Sequence, residues 1–194
     1  CNAAMTAPGA KFELEDKVIN GIALRTYKQA PLTLRDIVIA SKGWGTREYI
    51  IYQDERMTFA AHYKAVALFA HKLRSEFGVK KGDRVAVVMR NYPQWAVAFF
   101  GAQVIGAIAT PLNSWWTGEE LEYGLADSGA KVAVVDPEKL ERIREHLPHL
   151  PQLQTVIVAR GGDDEADKRI VSMEALIGPT KSWASLPDNA MPDA

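Results

Sequence analysis

The sequence predicts an α/β fold: a mainly parallel βαβ sheet with flanking helices, preceded by a β-hairpin. Three observations carry that prediction. Short apolar runs at 84–89, 131–135 and 155–158 show no polar alternation, as expected of strands covered on both faces. Between them lie segments with three- and four-residue hydrophobic spacing, long enough to serve as crossover helices. Ahead of them, Glu48-Tyr49-Ile50-Ile51-Tyr52 and Met57-Thr58-Phe59 are β-prone runs around a polar turn.

The elements follow in order. Cys1 to Ala4 precede Met5 and read as a cloning remnant, and residues 1–10 are expected to be a disordered start. Residues 11–47 read as an amino-terminal arm of irregular pattern, with Phe12, Leu14, Val18, Ile22 and Leu24 scattered and a short helix over 34–40 after Thr33. The α/β subdomain is expected over 48–177. Its first helix is marked by Phe59, Tyr63, Val66, Ala67, Ala70, Leu73 and Phe77, capped by Thr58 and ended by Gly78. Lys80-Lys81-Gly82-Asp83 turns into the central strand, and Tyr92-Pro93 opens a helix with little polar surface.

A short strand at 108–110 precedes Thr117-Gly118-Glu119-Glu120, a capping box that starts a helix running to about Asp127. A strand at 131–135, a helix over 137–146 and a strand at 155–158 continue the alternation. Residues 161–169 form a polar, acidic loop, Ile170-Val171 a small strand and 172–177 a helical turn. The proline-punctuated stretch 178–194, anchored by Trp183, Leu186 and Met191, reads as a linker. On this reading the chain is not the whole protein.

Composition removes several function classes. With 47% hydrophobic and 24% charged residues and a net charge of −1, the chain has neither the character of a disordered segment nor the basic field that nucleic-acid binding needs. Its single cysteine is Cys1, which excludes an intrachain disulfide and suits a reducing, cytoplasmic setting. The largely apolar stretch 95–112 sits at the lower length limit of a membrane span, but Gln103, Gly106, Thr110 and Pro111 interrupt it. A buried helix followed by a strand is expected there, with no transmembrane segment.

The usual phosphate-cradling turns are missing from the sequence. There is neither G-x-G-x-x-G nor G-x-x-x-x-G-K-[ST]; Met89-Arg90-Asn91-Tyr92-Pro93 follows the central strand instead. His62, His71, His146 and His149 read as surface histidines. Pro148 interrupts the helical face that would align His146 with His149, so no metal site is expected. Glu119 and Glu120 are explained by helix capping. Asn91, Asn113, Trp115 and Trp116 follow strands on the side where such sheets bind ligands, and they are the candidate substrate-binding residues. The structural alternative for the asparagines is turn closure, and for the tryptophans packing on a neighbouring subdomain.

Three stretches in register carry a resemblance: KKGDRVAVVMRN at 80–91, GAIATPLN at 106–113 and EELEYGLADSGAKVAVVD at 119–136, with LFAHKLRSEFG at 68–78 before them. Together they resemble the amino-terminal part of adenylate-forming enzymes, in their acyl-CoA synthetase or fatty-acid-CoA ligase branch, over about residues 49–158. The resemblance implies that the protein activates a carboxylic acid with ATP and Mg2+ as an acyl-adenylate and transfers it to coenzyme A. It implies that the catalytic residues lie outside residues 1–194, with 178–194 a linker toward a missing nucleotide-binding region, so that no catalytic or cofactor-binding residue is assigned and the chain alone is inactive. Partners are then the acid, coenzyme A and the remaining domains of the same protein, with a homo-oligomer left open. Ser114-Trp115-Trp116 departs from the small residues or proline more common at this point. A stand-alone α/β binding module, or a fragment of a peptide-synthetase adenylation domain, is the alternative.

Overall fold

The computed structural model describes residues 2–164 and 166–194; Cys1, read as part of a cloning remnant, and Glu165 of the acidic loop lie outside the described residues. The chain opens with α1 (Asn2–Thr6) and an antiparallel hairpin of β1 (Leu14–Ile19) and β2 (Ile22–Tyr27). An arm of irregular pattern was expected over 11–47, and the paired strands depart from it. The cause lies in Asn20 and Gly21, whose φ values of 51° and 81° make a two-residue left-handed turn that matches the twist of paired strands. Neither face of this hairpin is well covered, which hides its alternation: Val18 and Ile22 are both exposed. Helix α2 (Leu34–Ser41) follows, started by a capping box in which Thr33 and Asp36 satisfy each other's amides.

The second hairpin pairs β3 (Glu48–Tyr52) with β4 (Glu55–Thr58) and leads directly into α3 (Phe59–Ser75). The Thr58 hydroxyl accepts the Ala61 amide at 3.2 Å and Gly78 takes φ 58°, so both ends of the helix stand where the sequence marks them. His62 is a correction. It is buried, not on the polar flank, because β3 and the next helix cover that side: its ring lies 4.7 Å from that of Tyr49 and 5.7 Å from that of Phe100.

The α/β unit then runs β5 (Arg84–Val88), α4 (Pro93–Val104), β6 (Ile108–Pro111), α5 (Gly118–Ser128), β7 (Val132–Val135), α6 (Pro137–Ile143), β8 (Thr155–Val158), β9 (Ile170–Ser172) and α7 (Met173–Ile177). These five strands form one sheet in the order β6-β5-β7-β8-β9, and every pairing is parallel. The continuous apolar runs are explained by two cores. Val85, Val87, Val132 and Val134 face α3 and α4, whereas Ala86, Val88, Ala133 and Val135 face α5 and α6. Among the described residues no helix is long and apolar enough to cross a membrane, and 95–112 is divided between α4 and β6.

Two boundaries depart from the expected ones. Helix α6 ends at Ile143 and tightens into a 3₁₀ turn, Arg144–His149, which accommodates Pro148 where an α-helix would need its amide. The stretch 178–194 is strapped to α2 and α3. Its own 3₁₀ turn, Thr180–Ser185, buries Trp183, whose Nε1 donates to the Gly178 carbonyl at 2.9 Å. Met191 is buried as well, Lys64 donates to the Ala184 carbonyl at 3.0 Å, and Arg35 donates to the Pro192 carbonyl at 2.9 Å.

Candidate functional site

Helix α4 returns the chain to β6 on one side of β5, and α5 carries it across to β7 on the other. The connections therefore diverge between β5 and β7, beyond their carboxyl ends, and that divergence opens a crevice in sheets of this kind. A cleft of about 190 Å³ lies there, lined by Arg90, Asn91, Ser114, Trp115, Glu138 and Lys139.

Its floor is fixed by Asp136. One carboxylate oxygen accepts the Arg90 amide at 3.0 Å and the other accepts the Lys139 amide at 3.0 Å, so a single side chain caps α6 and ties the β5 loop to the β7 loop. Lys139 is itself buried, with Nζ 3.0 Å from Glu138 and 3.9 Å from Asp136. Glu138 also meets Arg90 at 3.0 Å and Arg142 at 2.6 Å. The bonded Lys139 ammonium, ahead of Arg90, holds the Glu138 carboxyl below its ordinary range. The positive groups of the cleft are thus already paired with carboxylates.

The structure separates the four candidate residues. Asn91 and Trp115 line the cleft, and Trp115 is 82% exposed, with its ring free to meet a ligand or a neighbouring surface. Asn113 closes its own turn, its side-chain oxygen accepting the Trp115 amide at 3.0 Å. Trp116 packs on the core under α5, where a Cβ at Gly124 would lie 2.9 Å from its ring. Its carbonyl accepts Arg142 Nη1 at 2.7 Å. Asp136, Glu138, Lys139 and Arg90 were not singled out from the sequence. The signal available was Asp136-Pro137 directly after an apolar strand, a helix start whose cap faces the strand ends.

A larger groove of about 530 Å³ lies between the β3–β4 hairpin and the carboxyl-terminal strap, lined in part by Ile50, Met57, Pro93 and Pro179. Of its two acids, Asp54 and Glu55, the latter is committed to Arg160 at 2.6 Å and to the Thr180 hydroxyl. Arg160, with φ 61°, also lies over the rings of Tyr52 and Tyr92 and donates to Gln94. That arrangement joins the hairpin to the sheet, and the groove is the seam it leaves.

Outside the cleft, His146 and His149 are not independent surface groups. Both direct Nδ1 at the carboxylate of Glu122 on α5, His149 at 3.3 Å. His71, by contrast, is exposed and reaches the Ala190 carbonyl at 3.0 Å.

Known proteins place this architecture. Residues 39–190 match the family model described as AMP-binding enzyme. The chain is 38% identical over 113 residues to a long-chain-fatty-acid-CoA ligase of Yersinia pestis, covering 58% of this chain and 20% of that protein. It is 37% identical over 122 residues to acetyl-coenzyme A synthetase of Bacillus subtilis, covering 63% and 21% respectively. The crystal structure of the anthranilate CoA ligase AuaEII in complex with anthranoyl-AMP superimposes with a TM-score of 0.71 at 26% identity, over 84% of this chain and 31% of that one. The chain therefore spans about a fifth of the length of the curated relatives it matches. With the parallel sheet, the hairpin before it and a match that runs from α2 into the carboxyl-terminal strap, the chain belongs to the AMP-binding enzyme family.

Proposed function

We propose that this chain is the amino-terminal subdomain of an ATP-dependent acyl-CoA synthetase acting on a fatty or aryl acid in the cytoplasm. The observation that carries the reading is the family match over residues 39–190, shared with relatives that are CoA ligases. In the whole protein the carboxylate would displace pyrophosphate from ATP, and the thiol of coenzyme A would then displace AMP from the acyl-adenylate. A carboxylate is a poor acyl donor until one oxygen leaves as a phosphate ester, which is the reason for two steps.

The residues of this chain do not fit the nucleotide or its Mg2+. The sequence has no glycine-rich phosphate loop, and the cations of the cleft are neutralised by Glu138. Asp136 spends both oxygens on backbone amides, so the cleft offers no free carboxylate pair for a hard cation. ATP, Mg2+ and coenzyme A are assigned to the remaining domains. Asn91 and Trp115 are proposed to touch substrate at the cleft, while Asn113 and Trp116 hold the loop that carries Trp115.

Acid-dependent ATP–pyrophosphate exchange by the protein extended beyond residue 194 tests this function. Exchange with a fatty or aryl acid is expected, and none is expected from the 194-residue chain alone. No exchange by the extended protein across both acid classes would overturn the assignment. Trp115→Ala should raise KM for the acid or for coenzyme A with little change in melting temperature, since its ring is exposed. An unchanged KM for both would remove Trp115 from the binding role.

A further inference from the structure

The Glu122, His146 and His149 cluster belongs to neither the cleft nor the proposed chemistry. We propose that these three side chains form a binding site for a divalent transition-metal ion of the zinc class, clamping α5 to the 3₁₀ turn Arg144–His149.

The backbone explains how the ligands come together. In a 3₁₀ segment there are three residues per turn, so side chains three apart eclipse one another. The turn that takes in Pro148 thus superposes His146 and His149 on one face. Glu122 arrives from the middle of α5, which packs alongside, and the three ligand atoms all lie within 4.8 Å of one another. A tetrahedral ion with bonds of about 2.0–2.1 Å needs ligand–ligand edges of about 3.3 Å. His149 Nδ1 stands 3.3 Å from Glu122 Oε1, which is that edge.

The surroundings prepare the site further. The His146 ring lies against the backbone of Gly118, where a Cβ would come within 2.5 Å of Nε2, so its orientation is set by close packing. Its Nε2 lies 3.7 Å from the exposed Glu145 carboxylate, which adds negative charge beside the site. Each ring presents its Nδ1 lone pair by moving that proton to Nε2 or releasing it to solvent, and the ion takes the place of the two N–H donors facing Glu122. Two imidazoles and one carboxylate suit zinc, cobalt, nickel or copper, and do not suit Mg2+ or Ca2+, which prefer oxygen. His149, 65% exposed, leaves the fourth position open to water.

Zinc titration calorimetry on the chain in a Cys1→Ser background tests the site, since that change removes the only thiol. One zinc per chain is expected, with Mg2+ unable to compete. Zinc at about a hundredfold above Kd should raise the melting temperature by roughly 5–10 °C. His149→Ala and Glu122→Gln should each weaken binding by more than about tenfold, as loss of even an outer partner does. His71→Ala should leave binding unchanged. Cobalt in place of zinc should show the visible absorption of a four-coordinate nitrogen and oxygen site, lost in His149→Ala. Because His149 is exposed, its variant keeps the fold, and an unchanged near-UV spectrum verifies this. No saturable zinc binding, or equal binding by the parent, His149→Ala and Glu122→Gln proteins, would overturn the proposal.

Discussion

Asp136 accepts the backbone amide of Arg90 at 3.0 Å, so the loops leaving β5 and β7 are joined by one buried carboxylate where the sheet connections diverge. The same side chain caps α6 through Lys139 and sits 3.9 Å from the buried Lys139 ammonium. Asp136→Ala removes a helix cap, orphans a second amide and leaves Lys139 with Glu138 alone. A loss of about 3 kcal/mol is expected. Asp136→Asn keeps one acceptor and should lose about half as much. Urea midpoints of the two variants decide this, and equal midpoints would mean that the acceptor retained by asparagine contributes nothing.

Gly101 lets α4 approach α3. A Cβ there would stand 2.6 Å from Cδ1 of Phe69, a ring with no solvent exposure and no room to retreat. Replacing a helical glycine with alanine ordinarily gains about 1 kcal/mol of helix propensity. Overpacking costs about 1–3 kcal/mol, so Gly101→Ala is expected to be a net loss. The double variant Gly101→Ala, Phe69→Leu should recover part of it, because the flexible side chain vacates the clash. A stabilised single variant in thermal melts would show that the two helices slide apart easily.

Arg160 pins the β3–β4 hairpin to the sheet in a left-handed conformation, φ 61°, that a non-glycine residue rarely adopts. Its amide donates to both oxygens of Glu174, its guanidinium pairs with Glu55 at 2.6 Å, and it lies 5.1 Å and 4.8 Å from the rings of Tyr52 and Tyr92. Lysine keeps the charge but loses the planar fork and the stacking, a cost of about 1–2 kcal/mol. Glycine relieves about 1 kcal/mol of backbone strain while losing every side-chain contact. Both variants are therefore expected to fall below the parent protein, and chemical denaturation measures the order. If Arg160→Lys matches the parent, the ring contacts are incidental.

The sheet was legible because burial on both faces leaves a signature along each strand, as in Arg84-Val85-Ala86-Val87-Val88. Local chemistry was legible too: Thr58, Thr117 and Gly78 act where they stand, through residues three or four away. The first hairpin carried a local signal in Asn20-Gly21 that the exposed strands around it concealed. What the sequence does not display is meeting across distance. Glu122 reaches His146 and His149 from another element, Asp136 reaches Arg90 over the sheet, and His62 is buried by strands and helices that are not its neighbours in the chain. For His146 and His149 the sequence argument held that Pro148 breaks the helical face that would align them, whereas the 3₁₀ turn Arg144–His149 carries Pro148 with both Nδ1 atoms directed at Glu122.

His62 makes the fold sensitive to acid. Burial pushes its pKa down to about 4, opposed weakly by the Ala96 backbone, and neither ring nitrogen makes a hydrogen bond of good geometry. The titratable group facing it is Tyr49, itself shifted upward by burial; Phe100 closes the other side. The unfolded chain, with an ordinary histidine, takes up a proton near pH 6.5 that the folded chain refuses until about pH 4. This contribution to stability is therefore complete above the unfolded pKa and is lost as pH falls from 6.5 toward 4, by roughly 3 kcal/mol in all. His62→Phe retains the ring packing without a titrating group or orphaned nitrogens. Denaturation across that pH range should show the parent losing stability faster than the variant, with the variant more stable even at neutral pH by about 1 kcal/mol. Parallel pH profiles would mean that His62 finds a proton partner in solution and contributes nothing to acid sensitivity.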